Sequence, residues 1–168
     1  MAHWLLKSEP STFGIEHLKA KGVEHWDGVR NYTARNNLMA MKLGEEAFFY
    51  HSSCDVPGVV GIMRVVREAY PDFTQFDPES KYFDPKATAE RPRWFMPDLE
   101  YVKTFPRVVS LREIKATPGL EDMWIARATW SRLSVTPVSD EEWEIICDLA
   151  EREPTSPGGG AELGRARR

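Results

Sequence analysis

The chain has 168 residues and a formal net charge of −4, with 42% hydrophobic and 11% aromatic residues. That length suits one domain with a substantial core, and no run approaches the roughly 20 consecutive apolar residues of a membrane span. Residues 152–168 carry +2, so residues 1–151 carry −6. A protein that holds duplex DNA mainly by neutralising phosphates has a basic balance, so any nucleic-acid contact here has to be local.

The start, Met1 to Pro10, lacks the cationic flank and long apolar stretch of a signal peptide. A cytoplasmic location, a monomeric state and no membrane contact are expected. Cys54 and Cys147 stand too far apart for a disulfide framework or a metal-ligand spacing, and both are expected to be reduced. No cofactor or metal is expected, because G-x-G-x-x-G, G-x-x-x-x-G-K-[ST], G-x-S-x-G and H-E-x-x-H are all missing.

In chain order, Trp4, Leu6 and Ser8 alternate with His3, Leu5 and Lys7, the period of a half-buried strand, which Pro10 stops. Ser11 or Thr12 is placed to cap a short helix carrying Ile15 and Leu18, with Gly22 after its cationic end. Asn31 is expected to cap a helix running to about Leu43, with Gly44 at its stop. Ala47 to Tyr50 and Val59 to Val66 read as a hairpin around Asp55-Val56-Pro57-Gly58. Residues 70–97 hold five prolines among seven aromatic residues, a composition that forbids a helix yet is too apolar for water, so an ordered loop packed over the core is expected. A strand over 98–109, a short helix from Ser110 through Ile114, a last strand over 132–137 and a helix opened by Ser139-Asp140-Glu141-Glu142 complete the set. The final helix presents Trp143, Ile146 and Ala150 as its apolar stripe. The domain is expected to end at residue 151, with 152–168, rich in Pro and Gly, as a flexible basic tail. Uneven connections without a Gly-rich phosphate turn predict an α+β fold: a small, mostly antiparallel barrel with short helices at its edges.

Residues 24–38, EHWDGVRNYTARNNL, fit no amphipathic pattern. Two readings stay open. In one, Trp26 and Tyr32 anchor the core, Asn31 caps a helix, and Arg30 and Arg35 are solvated. In the other, Trp26 and Tyr32 wall a pocket for a planar ligand whose polar edge meets Arg30, Asn31 and His51. Base–aromatic stacking of roughly 1–3 kcal/mol offsets the few kcal/mol of extracting a base from a duplex.

Six motifs, Lys7-Ser8-Glu9-Pro10, Trp26 to Tyr32 with Ala34-Arg35-Asn36, Tyr50-His51-Ser52, Ala69-Tyr70-Pro71-Asp72, Pro92-Arg93-Trp94 and Arg132-Leu133-Ser134-Val135, resemble in order and spacing the EVE domain family, over about residues 2–150. The resemblance implies a PUA-like pseudobarrel related to YTH and ASCH domains. It also implies a non-catalytic reader of modified nucleobases, with DNA or RNA carrying a modified base as partner and modified cytosine, such as 5-methylcytosine, as the favoured ligand. By similarity, Ser8, Glu9, Trp26, Arg30, Asn31, Tyr32, Tyr50, His51 and Ser52 form the pocket, with Arg35 and Trp94 as lid or phosphate contact. Two alternatives remain. One is a small hydrolase or nuclease of the ASCH type using Lys7, Ser8 and Glu9, although neighbours on a strand point to opposite faces. The other is a protein-interaction module that exposes an apolar patch over residues 73–95.

Overall fold

A computed structural model describes residues 1–152. Six strands form one sheet: β1 (His3–Ser8), β2 (Val23–His25), β3 (Glu46–His51), β4 (Gly58–Pro71), β5 (Phe95–Ser110) and β6 (Val135–Val138). Their order across the sheet is β2-β5-β4-β3-β1-β6. All neighbours are antiparallel except β1 and β3, which run parallel from His3 opposite Glu46 to Ser8 opposite His51. Five helices complete the fold: α1 (Pro10–Phe13), α2 (Ile15–Lys21), α3 (Tyr32–Ala40), α4 (Leu111–Ala116) and α5 (Asp140–Ala150). The molecule is the expected α+β fold with one mixed, mostly antiparallel sheet.

The central strands are apolar in consecutive positions because both faces of the sheet are covered. Trp4, Leu6, Ala47 and Phe49 face α2 and α3, packing with Ile15, Leu18, Ala34 and Leu38. Leu5, Phe48 and Tyr50 face the other way, onto Ile114 of α4 and Trp143, Ile146 and Leu149 of α5. The helices therefore lie on the two faces of the sheet.

Several boundaries differ from expectation. The first helix is split, because Gly14 is extended between α1 and α2; the cap over Ile15 and Leu18 comes from Gly14, whose N–H donates to His17 Nδ1 at 2.7 Å, and not from Ser11 or Thr12. α3 starts where expected, the Asn31 side chain accepting from the Ala34 N–H at 2.9 Å, but it ends at Ala40 because Met41 is extended. β2 was not foreseen. β4 and β5 outrun the expected strands, and their ladder shifts register four times. Pro106, which has no N–H to give, falls in the stretch where one shift interrupts the ladder. The last strand begins at Val135, since residues 124–130 form two short 3-10 turns and 131–134 lead into the sheet.

The Pro-aromatic segment is an ordered loop, as expected, running over residues 72–94 with a 3-10 turn at Phe73–Phe76. Buried Gln75 closes it: Nε2 donates to the Asp72 and Trp94 carbonyls at 2.7 and 2.8 Å, and Oε1 accepts from the Arg93 and Trp94 N–H groups at 2.9 and 3.0 Å. The tail expected over 152–168 lies, from residue 153 onward, outside the described residues. No helix among the described residues is long and apolar enough to cross a membrane.

Candidate functional site

At the carboxyl ends of β1 and β3, a cavity of about 660 Å³ opens beside α1, within the size range of small-ligand sites. Four distant stretches line it: Lys7 to Phe13, Glu24 to Arg30, Lys81 with Tyr82, and Arg132 with Ser134; Ser52 joins them from the end of β3. Of the residues expected at a pocket, Ser8, Glu9, Trp26, Arg30 and Ser52 meet here.

Trp26 is 7% exposed, edge-on to Phe49 (5.4 Å, 82°) and to Phe13 (6.2 Å, 84°). Its N–H donates to the Pro97 carbonyl at 2.9 Å, tying the segment to β5. It is thus a core anchor and a cavity wall at once. Ser8 points to the same face, its hydroxyl donating to the Phe13 carbonyl at 2.7 Å, while the Ser52 N–H donates to the Ser8 carbonyl at 3.1 Å.

Arg30 reaches the rim with its donors already engaged. Its guanidinium gives bonds to Asp72 Oδ2 (3.1 Å), Thr74 Oγ1 (2.9 Å) and the Tyr82 carbonyl (3.1 and 2.9 Å), and lies over the Tyr82 and Trp94 rings, 5.4 Å from each centroid. The Asp72 side chain is fully buried. Burial alone raises its pKa, but the bonds from Thr74, Gly28 and Arg30 outweigh that and hold the carboxyl below the usual range. Gly28 donates its N–H to Asp72 at 2.8 Å and has φ +83°, and a Cβ there would meet the Tyr82 ring at 2.6 Å. Glycine is what allows Tyr82 to close over this corner.

The other expected residues lie elsewhere. Asn31 is the α3 cap. Tyr32, 48% exposed, stacks on buried Trp94 (5.0 Å, 22°) with Arg35 4.8 Å over its ring, and Arg35 also donates to the Arg93 carbonyl at 3.0 Å. Trp94 Nε1 donates to Asp84 at 2.7 Å. Together they make a surface cluster joining α3 to the loop. His51 turns toward α2, its Nε2 accepting from the Ile15 N–H at 3.1 Å; burial lowers its pKa, with Glu16 opposing, so the neutral ring is favoured. Tyr50 is on the opposite face of the sheet, in the second core. Lys7 faces that side too, its ammonium donating to the Ser131 carbonyl at 2.6 Å, and is thereby separated from the Ser8 hydroxyl. In the loop, Phe73 and Phe83 are exposed while Trp94 is buried.

Sequence reasoning missed Phe13, Glu24, His25, Asp27, Lys81 and Tyr82 on the cavity wall. Asp27 and the Arg132-Leu133-Ser134 run lay inside quoted motifs, a usable signal; Phe13 and Tyr82 are brought in only by long-range packing. Asp27 is half-buried, and burial followed by the nearby Asp72 charge raises its pKa, with His25 pulling the other way. The site thus has an aromatic floor of Trp26 and Phe13 and a mixed-charge rim, where Glu9, Glu24 and Asp27 stand among Lys7, Arg30, Lys81 and Arg132.

A mixed sheet with helices on both faces and an aromatic-floored polar cavity at the ends of its parallel strands defines a PUA-like α+β domain. The chain belongs to the EVE domain family, whose sequence model matches residues 2–149. It is 46% identical to human thymocyte nuclear protein 1 over 173 aligned positions, covering 92% of this chain and 76% of that protein. A crystal structure of the human THYN1 protein in complex with DNA containing 5-methylcytosine superposes with TM-score 0.86 at 45% identity, covering 92% of this chain and all of that one. A protein from Pseudomonas putida also superposes at 0.86, with 51% identity over 89% of this chain and 99% of its own. An ASCH protein from Zymomonas mobilis, 11% identical with TM-score 0.51, shares the fold alone.

Proposed function

We propose that this protein binds nucleic acid and reads a modified cytosine whose base enters the Trp26 cavity, without catalysis. The single observation that carries the reading is the cavity: an aromatic floor with Glu9, Glu24 and Asp27 on its rim. Carboxyl oxygens accept from the exocyclic N4 amine of cytosine, which thymine lacks. The relative crystallised with 5-methylcytosine DNA supports the same ligand class. A hydrolytic role is disfavoured because Ser8 donates its proton to the Phe13 carbonyl and Lys7 faces the opposite side of the sheet.

A methyl group buried against the floor contributes about 0.8 kcal/mol, roughly a fourfold preference. Larger selectivity comes from unpaired polar groups when the wrong base enters, at roughly 1–3 kcal/mol each. The test is a tryptophan-fluorescence titration with matched oligonucleotides carrying 5-methylcytosine, cytosine or thymine at one position. Binding tightens in the order thymine, cytosine, 5-methylcytosine. Equal affinity across a panel of modified cytosines and the two unmodified bases contradicts the reading.

A further inference from the structure

On the other face of the sheet, at the same end of β1 and β3, lies a second cavity of about 470 Å³. Its charged lining is Lys7, Lys115 and Arg127 against the single carboxylate of Glu121. In a chain whose first 151 residues carry −6, such a cluster of cations runs against the background. Glu121, whose Oε1 accepts the Gly119 N–H at 2.8 Å, offsets one of the three cations and leaves the lining positive. Lys115 is exposed on α4 and forms no ion pair among the described residues. Among the described residues the Arg127 guanidinium pairs with Asp122 at 3.4 Å, both exposed, a contact worth little and readily exchanged.

The wall behind these cations is suited to an anion. Lys7 is half-buried, its ammonium held by the Ser131 carbonyl at 2.6 Å and 5.9 Å above the Tyr50 ring. Burial lowers its pKa, and an anion beside it restores the charged form. The Tyr50 phenol is pushed up to about 12 by burial, so at neutral pH it keeps its proton and can donate. Most telling, Lys7 lines both cavities. Lys7 thus stands between them at the end of β1, with the aromatic floor and mixed-charge rim on one side and the mainly cationic lining on the other.

We propose that the second cavity is a phosphate subsite, holding a backbone phosphodiester of the strand whose base occupies the Trp26 cavity; this rests on the function proposed above. Lys115 and Arg127 neutralise the phosphate from the rim while Lys7 and the Tyr50 hydroxyl bond it from within. The division of labour follows the general one, in which phosphate contacts position a strand and base contacts specify it.

The test uses the full chain with a single-stranded oligonucleotide carrying one 5-methylcytosine. The salt dependence of the association constant is measured for the wild type, for Lys115→Ala, Arg127→Ala and the double variant, and for Lys42→Ala, the same charge loss on an exposed residue at the opposite end of β3. Both rim residues are surface side chains, so the fold is kept. Each rim variant should reduce the slope of log K against log salt, the double variant by about one for the lost phosphate, with Lys42→Ala at the wild-type slope. The ratio of affinities for modified and unmodified cytosine should not change. A wild-type slope in the double variant overturns the proposal, as does a loss equal to that of Lys42→Ala. A separate titration with inorganic phosphate, followed through the amide resonances of residues 115 and 127, distinguishes the source: shifts there with unchanged oligonucleotide slopes assign the cavity to free phosphate esters and overturn the strand subsite. Should modified and unmodified cytosine bind equally while the rim variants still lower the slope, the base reading fails and the phosphate site stands.

Discussion

The Arg30 guanidinium spends its bonds on Asp72, Thr74 and the Tyr82 carbonyl and not on the open cavity. Its contribution is to pin the loop that carries Tyr82 over the cavity. Arg30→Met leaves the fully buried Asp72 carboxylate without its counter-charge, and breaking such a pair costs roughly 3–5 kcal/mol; with the arginine side chain 21% exposed, the lower end applies. Urea unfolding should show the loss as a lower midpoint, and an unchanged midpoint would show that the pair is not needed. The sign of the pH effect follows from the depressed Asp72 pKa. Its stabilisation is present above the ordinary value of 3.8 and is lost as the pH falls through the lower folded value. At this scale the sequence revealed which residues are unusual more readily than what they touch: Trp26 and Arg30 stood out, but Asp72, 42 positions from Arg30, could not be paired with it by any local rule. Trp26 also proves to be core, so Trp26→Ala, at roughly 3–5 kcal/mol, removes packing along with any binding.

At the level of elements, the N-terminus of α2, besides packing Ile15 and Leu18 on the sheet, is hydrogen-bonded to β3 through one ring. The His51 Nε2 accepts the Ile15 N–H only when the imidazole is neutral, and burial keeps the folded pKa below 6.5. The contribution is fully present above 6.5 and is lost as the pH falls through the folded value. Hydrogen-exchange protection of Ile15 and Leu18 should therefore drop on acidification beyond the change in intrinsic exchange. His51→Leu should lower that protection at all pH values and remove its pH dependence, since an unpaired amide costs about 1–3 kcal/mol. A pH dependence that persists in the variant would assign it to another group. Helix starts were largely legible because caps are local chemistry: Asn31, Ser110 and Ser139 each accept the expected backbone N–H. Strand ends were not. Val23-Glu24-His25 is a strand only because it pairs with β5, and the lengths of β4 and β5 depend on bulges that no period in the sequence announces.

For the whole molecule, the acidic balance rules out a general electrostatic grip and places the burden on one end of the sheet, where β1 and β3 stop side by side. The fold class and the order of most elements were readable from alternation and turn residues. The cavity was readable only in fragments, because its wall is assembled from four separated stretches, and two of the expected residues, Tyr50 and His51, sit where strand alternation and a helix amide take them. A modified cytosine seated on the Trp26 floor would place its 5-methyl group against the Trp26 and Phe13 rings. An oligonucleotide whose 5-methylcytosine carries a 13C-labelled methyl group, bound to the protein, reports that position through methyl-to-protein nuclear Overhauser effects. Contacts from that methyl to the ring protons of Trp26 or Phe13 are expected; a bound methyl with contacts only to the Tyr32 and Trp94 cluster, or to no aromatic ring, would overturn the assignment of the base to this cavity.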